Sequence, residues 1–320
     1  MILITGSTGY IGSHLSYFFK KKKIPFIGVD NLSSSYKSNI DNKTNHFFID
    51  ISNKKKILEL IKKYNIKTII HAAAFSYVLE AEGRKKKYFL NNIVKTKKFI
   101  DICKKANIEN FIFLSSSNVY QENKKNIFSE KSPLKPKNNY GKNKLAIENF
   151  LLRKKIKNLV ILRLFNVVGL FKKFKSFRFK KKNYQRLIFK IFDLIKAKEE
   201  IQLNYIMDKK TMNFPGRDFV DINDLIGLIT TIYKKISTNN NISGIYNVGS
   251  GAITPINSII KFIEKKINKK IKLKLQKIEK NEIHYTCAKI KKIQNKFEWN
   301  PKVSLEKSIT STFKYLITKK

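Results

Sequence analysis

Short apolar runs alternate with amphipathic stretches through the first half of the chain. The runs at 1–5, 24–29, 45–49, 67–72 and 110–115 are bounded by Gly, Asp, Asn or Ser, as strands are where the chain leaves a sheet. Segments 11–23, 53–64 and 88–106 between them carry helical spacing, with Ile57, Leu58, Leu60 and Ile61 on one face. A further helix over 141–155 leads into a strand at Leu159–Leu164. This alternation predicts an α/β fold, a doubly wound parallel sheet covered by helices on both faces. Beyond Gly169 the pattern loosens. Residues 171–182, FKKFKSFRFKKK, are basic and aromatic without caps and read as a loop. A helix (184–197), strand (200–205), helix (222–236), strand (244–247) and helix (255–268) follow. They suffice for a smaller α/β lobe over the sheet's carboxyl edge, where such folds bind ligands.

Composition changes that picture little. The 320 residues suffice for about two domains, and 42% hydrophobic and 12% aromatic residues supply a core. No apolar stretch approaches the roughly 20 residues that span a bilayer, so no membrane partner is expected. The N-terminus enters a strand at once, without the signals of a leader. Cys103 and Cys287 form neither a metal-ligand spacing nor a disulfide framework. Both features point to a cytoplasmic setting. His14, His46, His71 and His284 are scattered, so no metal site is expected. The net charge of +44 invites a polyanion reading, but only six of the 67 basic residues are Arg: Arg84, Arg153, Arg163, Arg178, Arg186 and Arg217. Nucleic-acid readers lean on Arg for bidentate contacts, whereas lysines here spread over nearly every surface segment. That distribution fits a chain-wide compositional bias better than a nucleic-acid site.

Candidate chemistry begins at Gly6-Ser-Thr-Gly9-Tyr-Ile-Gly12, between the first strand and the first helix. Glycines there allow a tight turn and let backbone N–H groups approach a pyrophosphate at the helix N-terminus. Asp30 closes the second strand about 20 residues on, as in dinucleotide-binding fingerprints. Its carboxylate would accept hydrogen bonds from a ribose and repel a 2′-phosphate, which favours NAD over NADP. Asp50-Ile51 ends the third strand, within reach of an adenine edge. His71-Ala72-Ala73-Ala74 ends the fourth, with small side chains that let a cofactor lie against backbone. His71 itself reads as strand-end packing, and Trp299-Asn-Pro301 as a helix terminator that packs the smaller lobe.

Tyr140-Gly-Lys-Asn-Lys144 sets a phenol and an ammonium four residues apart, on one helix face. A nearby cation favours phenolate, so Lys144 and an oxidised nicotinamide would lower the Tyr140 pKa toward working pH. Such a phenolate can take a proton from an alcohol while hydride leaves for NAD. Upstream, Ser115-Ser116-Ser117-Asn118-Val119-Tyr120 follows the strand Phe111–Leu114. A serine hydroxyl at a strand's carboxyl end can relay that proton and hold the substrate oxygen.

In order along the chain stand TGxxGYIGSH (5–14), DNLSS (30–34), DI (50–51), HAAA (71–74), NN (91–92), SSSNVY (115–120), YGKxK (140–144), RxFNxxG (163–169), RDFVxxxDL (217–225) and YNVGSG (246–251). This series resembles the extended short-chain dehydrogenase/reductase superfamily, most closely its UDP-glucose 4-epimerases, of the NAD-dependent epimerase/dehydratase family. The resemblance implies an NAD-binding Rossmann domain with the catalytic helix at 1–170. A mainly substrate-binding lobe would occupy 171–320, with some segments returning to the first domain. Gly6, Gly9, Tyr10, Ile11, Gly12, Asp30, Asn31, Asp50, Ile51, Ala72, Ala73, Ala74 to Ser76, Asn91 and Phe165 would line NAD, with Tyr140 and Lys144 at its reactive end. Tyr140 would be the base, Lys144 its electrostatic partner and Ser116 the hydroxyl relay. Ser116, Asn166, Arg217 and Glu282 would hold a nucleotide sugar, with Asn166 and Arg217 at its pyrophosphate. The implied reaction oxidises C4 of the sugar, turns the 4-keto sugar over and returns hydride to its other face. Helices 88–106 and 141–155 would pair in a homodimer, although their Lys-rich faces repel.

Several positions depart from the family pattern. Ser117-Asn118 stands where related 4,6-dehydratases and decarboxylases commonly carry an acid, so elimination of water lacks its proton donor. Ser76 takes the place of a Lys, Leu164 that of a Tyr, Glu279-Lys-Asn-Glu282 that of an Arg-containing segment, and the basic 171–182 loop that of a Gly-Asp-rich stretch. Losing the Arg removes a bidentate phosphate contact, which Lys280 or the basic loop would have to replace. Thr286, a small residue at a variable position, would leave room for an N-acetyl group. Two alternatives stand beside the epimerase: a ketoreductase or dehydratase of the same fold, and a non-catalytic NAD-sensing or nucleic-acid-binding protein on that scaffold. The presence of Ser116, Tyr140 and Lys144 together speaks against the second.

Overall fold

Successive residues of the central strands bury toward opposite faces, and this period of two builds the layers. The computed structural model describes residues 1–41, 43–122, 126–171, 186–208, 211–238, 242–278 and 285–317. Seven parallel strands form the main sheet: β1 (Ile2–Thr5), β2 (Phe26–Val29), β3 (His46–Phe47), β4 (Thr68–His71), β5 (Asn110–Ser116), β6 (Asn158–Leu164) and β7 (Gly244–Val248). Their spatial order is β7-β6-β5-β4-β1-β2-β3, which reverses direction between β4 and β1. A doubly wound sheet opens its ligand crevice at that reversal. Thr5 pairs with both Val29 and His71, and His71 with Phe113, so β1, β2 and β4 end level while β5 runs on past them to Ser116. Everything that leaves them emerges along one edge.

Ile2, Ile4, Ile112, Leu114, Val160 and Leu162 pack on one side, against α1 (Tyr10–Lys21) and residues later in the chain. Leu3, Ile69, Phe111, Phe113 and Ile161 face the other side, toward α2 (Lys54–Lys63) and the helices that follow it. Each such buried side chain contributes roughly 1.5–3 kcal/mol, so the two clusters fix the register of the strands between them. Helix α2 starts where Asn53 accepts from the Lys56 N–H. The segment expected as one helix over 88–106 begins earlier and is not uniform. It follows α3 (Val78–Gly83) as α4 (Lys85–Phe89), widens into a π-helical turn at Leu90–Lys95 and continues as α5 (Thr96–Lys105). Asn92, inside that turn, donates to the Phe75 carbonyl and accepts from its N–H, both at 2.9 Å. The extra residue in the turn accompanies this tie to the loop after β4. Helix α6 (Asn139–Leu152) then returns the chain to β6.

Helix α7 (Leu187–Ala197) opens the C-terminal half. The strand Ile201–Asp208 follows, and then α8 (Ile222–Ser237) and α9 (Ile256–Ile267). Ile188, Ile191, Ile201, Leu203, Ile259 and Ile263 form a separate smaller core. Strand β7 and helix α8 instead join the main sheet and the cluster on its α1 face. The segments 127–128, 216–217, 254–255 and 285–288 make a four-stranded sheet, and Asn166–Val168 pairs with Phe219–Asp221. Sequence spacing does not betray these two- to four-residue strands. After α10 (Lys291–Phe297), Glu298 takes a left-handed conformation and ends the helix. Trp299 does not pack the smaller lobe, as expected, but buries in the main core, where its indole donates to the Asp224 carbonyl on α8 at 3.1 Å. The Asp224 carboxylate accepts from the Lys302 and Val303 N–H groups, which anchors the chain leading into α11 (Leu305–Ile317). Among the described residues, no helix is long and apolar enough to cross a membrane.

Candidate active site

The turn after β1 is shaped by what its glycines lack. Gly6 has a φ of +66°, and a Cβ there would lie 2.7 Å from the Ala73 backbone. A Cβ on Gly12 would come within 2.1 Å of the Gly6 carbonyl oxygen, so α1 starts in direct contact with the turn. Gly9 caps α1 without a side chain, which leaves the first-turn N–H groups to an external anion. Two adjoining cavities of about 380 Å³ and 60 Å³ share Gly6, Gly9, Ala72, Ala74 and Phe75 as a common wall. Asp30, Asn31, Ile51, Ala73 and Asn91 line the smaller. Tyr10, Ile11, Gly12, Ser76, Phe165 and Asn166 line the larger, together with Ser116, Tyr140 and Lys144. Uncapped donors, a carboxylate at the end of β2 and a wall of small residues fit an NAD dinucleotide.

Some expected roles shift. Asp30 accepts from the Thr8 and Leu32 N–H groups at 3.1 and 2.8 Å, so its carboxylate first of all fastens the turn. Asp50 does not line either cavity. Its carboxylate accepts from Asn31, Ser52 and the Lys95 ammonium instead. Burial works against its charge, but Lys95 and the surrounding donors outweigh it and hold the acid well below the usual carboxylate range. Asp50 thus orients Asn31. Tyr10 donates its hydroxyl to the Gly169 carbonyl at 2.5 Å. His71 is buried among Phe99, Phe111 and Phe113, and burial lowers its pKa to about 3. Asn166 donates to the Asp218 carbonyl, and the nearby Arg217 donates to the carbonyl of Gly216. Neither Arg217 nor Thr286, its neighbour in strand register, belongs to the cavity's lining. Glu279, Lys280, Glu282 and all of the 171–182 loop except Phe171 lie outside the described residues.

Helix α6 carries two of the three candidate catalytic groups, and its start explains their placement. Asn138 caps it, accepting from the Gly141 N–H at 2.7 Å while donating to the Asn118 side chain at 2.9 Å. A Cβ on Gly141 would sit 2.2 Å from the Asn118 carbonyl oxygen. The glycine after Tyr140 therefore lets α6 close on the turn after β5 and brings the phenol to Ser116. The Ser116 hydroxyl oxygen accepts from the Asn118 backbone and side-chain N–H groups at 3.2 and 3.0 Å. Its own proton is left for Tyr140, with which it shares a hydrogen bond. Lys144 donates to the Leu114 carbonyl at 2.6 Å and stands 5.8 Å from the centre of the Tyr140 ring. Burial lowers the Lys144 pKa to about 8 against the pull of Glu148. The lowering expected for Tyr140 from Lys144 and an oxidised nicotinamide has burial to overcome. Burial pushes the phenol up, opposed by the charge of Arg186 and by the Ser116 hydroxyl.

Two contributors escaped sequence reading. Glu148, two turns beyond Tyr140 on α6, forms a fully buried ion pair with Arg163 of β6, at 2.7 Å, and accepts from the Ser115 hydroxyl. Arg163 also donates to the Tyr120 hydroxyl at 3.1 Å, so α6, β5 and β6 are locked together directly beneath Ser116. The spacing of Glu148, eight after Tyr140 on the same helix face, was the available signal. Arg186, the N-cap residue of α7, lines the larger cavity with its guanidinium 4.5 Å from the Tyr10 ring centre. It follows a stretch without pattern, and nothing in the sequence marks it. Among the described residues, no group of three metal-binding side chains gathers.

Known proteins resemble this chain over nearly its whole length. The UDP-glucose 4-epimerase of Pisum sativum is 26% identical over 95% of this chain and 92% of its own. The solved UDP-Glc/GlcNAc 4-epimerase of Campylobacter jejuni is 28% identical, covers 99% of both chains and superposes with a TM-score of 0.84. The UDP-glucose 4-epimerase of Bifidobacterium longum, solved in complex with NAD+ and UDP, is 22% identical, covers 99% of this chain and 98% of its own, and gives a TM-score of 0.88. Residues 2–249 match the model of the NAD dependent epimerase/dehydratase family. With that match on a seven-stranded doubly wound sheet, the chain belongs to the NAD dependent epimerase/dehydratase family, within the extended short-chain dehydrogenases/reductases, and its cofactor is NAD.

Proposed function

We propose that the protein is a nucleotide-sugar 4-epimerase acting on UDP-linked hexoses. The observation that carries this reading is the meeting of Ser116, Tyr140 and Lys144 in a cavity continuous with the glycine turn. Bound NAD supplies a hydride acceptor that also gives the hydride back. Tyr140 takes the proton from the sugar hydroxyl and later returns it, with Ser116 as relay. Burial disfavours the phenolate, so the Ser116 hydrogen bond and the nearby cations are what make the phenol usable as a base. Lys144, fixed on the Leu114 carbonyl, cannot swing away, and its charge stays beside the ring. Asn166 holds the nucleotide from the facing wall.

Dehydration is disfavoured because Ser117-Asn118 offers no strong acid beside Ser116. The curated and solved relatives that match nearly the whole chain, named for 4-epimerisation, support the same choice. The test is incubation of the purified holoenzyme with a panel of UDP- and dTDP-sugars without added cofactor, followed by product analysis. Interconversion of C4 epimers is expected. A requirement for stoichiometric NADH or NADPH would mean a net reduction and would replace this reading with the ketoreductase.

A further inference from the structure

We propose that Arg186 is the cation that binds the substrate's diphosphate, in place of the arginine missing from the late segment of the chain. The inference rests on the UDP-sugar reading above. The described lining of the larger cavity contains two basic side chains, Lys144 and Arg186, and no carboxylate. A recess of that composition favours an anion. Lys144 is buried and already donates to the Leu114 carbonyl. Arg186 is differently placed. Its guanidinium stacks over Tyr10 at 4.5 Å and hydrogen-bonds Tyr77, while its Nε is buried and finds no partner among the described residues.

A buried guanidinium N–H without an acceptor is costly, and it persists where a ligand supplies the acceptor. Arg186 is also the N-cap of α7 and makes no side-chain cap. The positive end of that helix therefore adds to the same field. Two diphosphates enter a site of this kind, that of the dinucleotide and that of the nucleotide sugar. The dinucleotide's is served by the uncapped N-terminus of α1 at Gly9. Arg186 comes from the C-terminal half and influences Tyr140, where substrate chemistry takes place. The substrate's diphosphate is the occupant that matches.

The experiment compares wild-type holoenzyme with Arg186→Leu and Arg186→Gln by calorimetric titration with UDP and with uridine, and measures NAD released on denaturation. Loss of a charge-assisted contact should weaken UDP binding about 10- to 100-fold, with uridine affinity and NAD content unchanged. Arg186→Lys should recover part of the loss. Equal weakening of UDP and uridine would reveal a packing role and overturn the proposal, as would unchanged UDP affinity in a folded variant. Loss of NAD with UDP binding intact would assign Arg186 to the dinucleotide instead. If the wild type itself binds no UDP, the UDP-sugar reading falls together with this one.

Discussion

Removing Glu148 should cost as much stability as removing a large buried apolar side chain. Arg163 and Glu148 are each 1% exposed, and the guanidinium donates through Nε to both carboxylate oxygens at 3.2 Å as well as through an Nη at 2.7 Å. Glu148→Ala leaves that guanidinium buried with the Tyr120 hydroxyl and the Glu130 carbonyl as its remaining acceptors among the described residues. Breaking a buried pair from one side costs roughly 3–5 kcal/mol, a large part of the ~5–15 kcal/mol that holds a domain together. The melting temperature should drop by about 4–7 °C. Glu148→Leu combined with Arg163→Met leaves no unpaired charge, so it should recover at least about half of that loss. Urea unfolding followed by circular dichroism, run as a double-mutant cycle, measures both. Were Glu148→Ala to cost less than ~1 kcal/mol, or the pair of changes to be simply additive, the ion pair would not be what locks α6 onto the sheet.

Three further outcomes follow from the site. Tyr140→Phe should reduce turnover by about 10²–10⁴-fold while NAD content stays the same, and near-normal activity would remove the phenol from the mechanism. Gly12→Ala forces a methyl group to within 2.1 Å of the Gly6 carbonyl, so the turn must open; purified protein should carry much less NAD, and a full complement would refute the contact. For Lys144 the argument concerns pH, because folding lowers its pKa from 10.5 to about 8. Between those values the unfolded chain binds the proton and the folded one does not, so stability rises with pH. Relative to Lys144→Met, the wild type should gain about 1–2 kcal/mol between pH 8 and 9.5 in denaturant unfolding. A flat difference would mean that the ammonium is not desolvated.

Most strands of the main sheet were legible because they are apolar on both faces, and β1, β2, β5 and β7 end at or lead into a Gly, Asp or Ser that the fold uses. The cofactor turn was legible because Gly6 and Gly12 are demanded by backbone contacts that leave no space for a Cβ. Tyr140 and Lys144 were found as a pair, but their electrostatics were not. Which cation lies close to a buried phenol depends on where α7 enters, and that is decided by tertiary packing after a patternless stretch. The same holds for Asp50, whose carboxylate the sequence offers to adenine and the fold gives to Lys95. Trp299 looked like a lobe residue because it sits late in the chain. Its place in the main core follows from β7 and α8, which return to the sheet from the C-terminal half.

The buried polar groups near the cavity divide into two kinds, and the division shows where the fold accepts instability. Glu148, Arg163, Ser115, Tyr120 and Asn247 satisfy one another, as Tyr120 donates to Asn247 and Asn247 to the Phe128 carbonyl. Such a network stiffens what carries it. Lys144, Tyr140 and Arg186, which line the cavity, are each left poised by burial: an ammonium with a lowered pKa, a phenol whose ionisation is pushed up, an Nε without an acceptor among the described residues. Groups poised in that way change state when a partner arrives, which is what proton transfer and anion binding require. The satisfied layer is the reason they can stay poised. Helix α6 spans both, with Tyr140 and Lys144 at its start and Glu148 one turn further on, so the ion pair that stabilises the helix also fixes the angle at which the reactive groups enter the cavity.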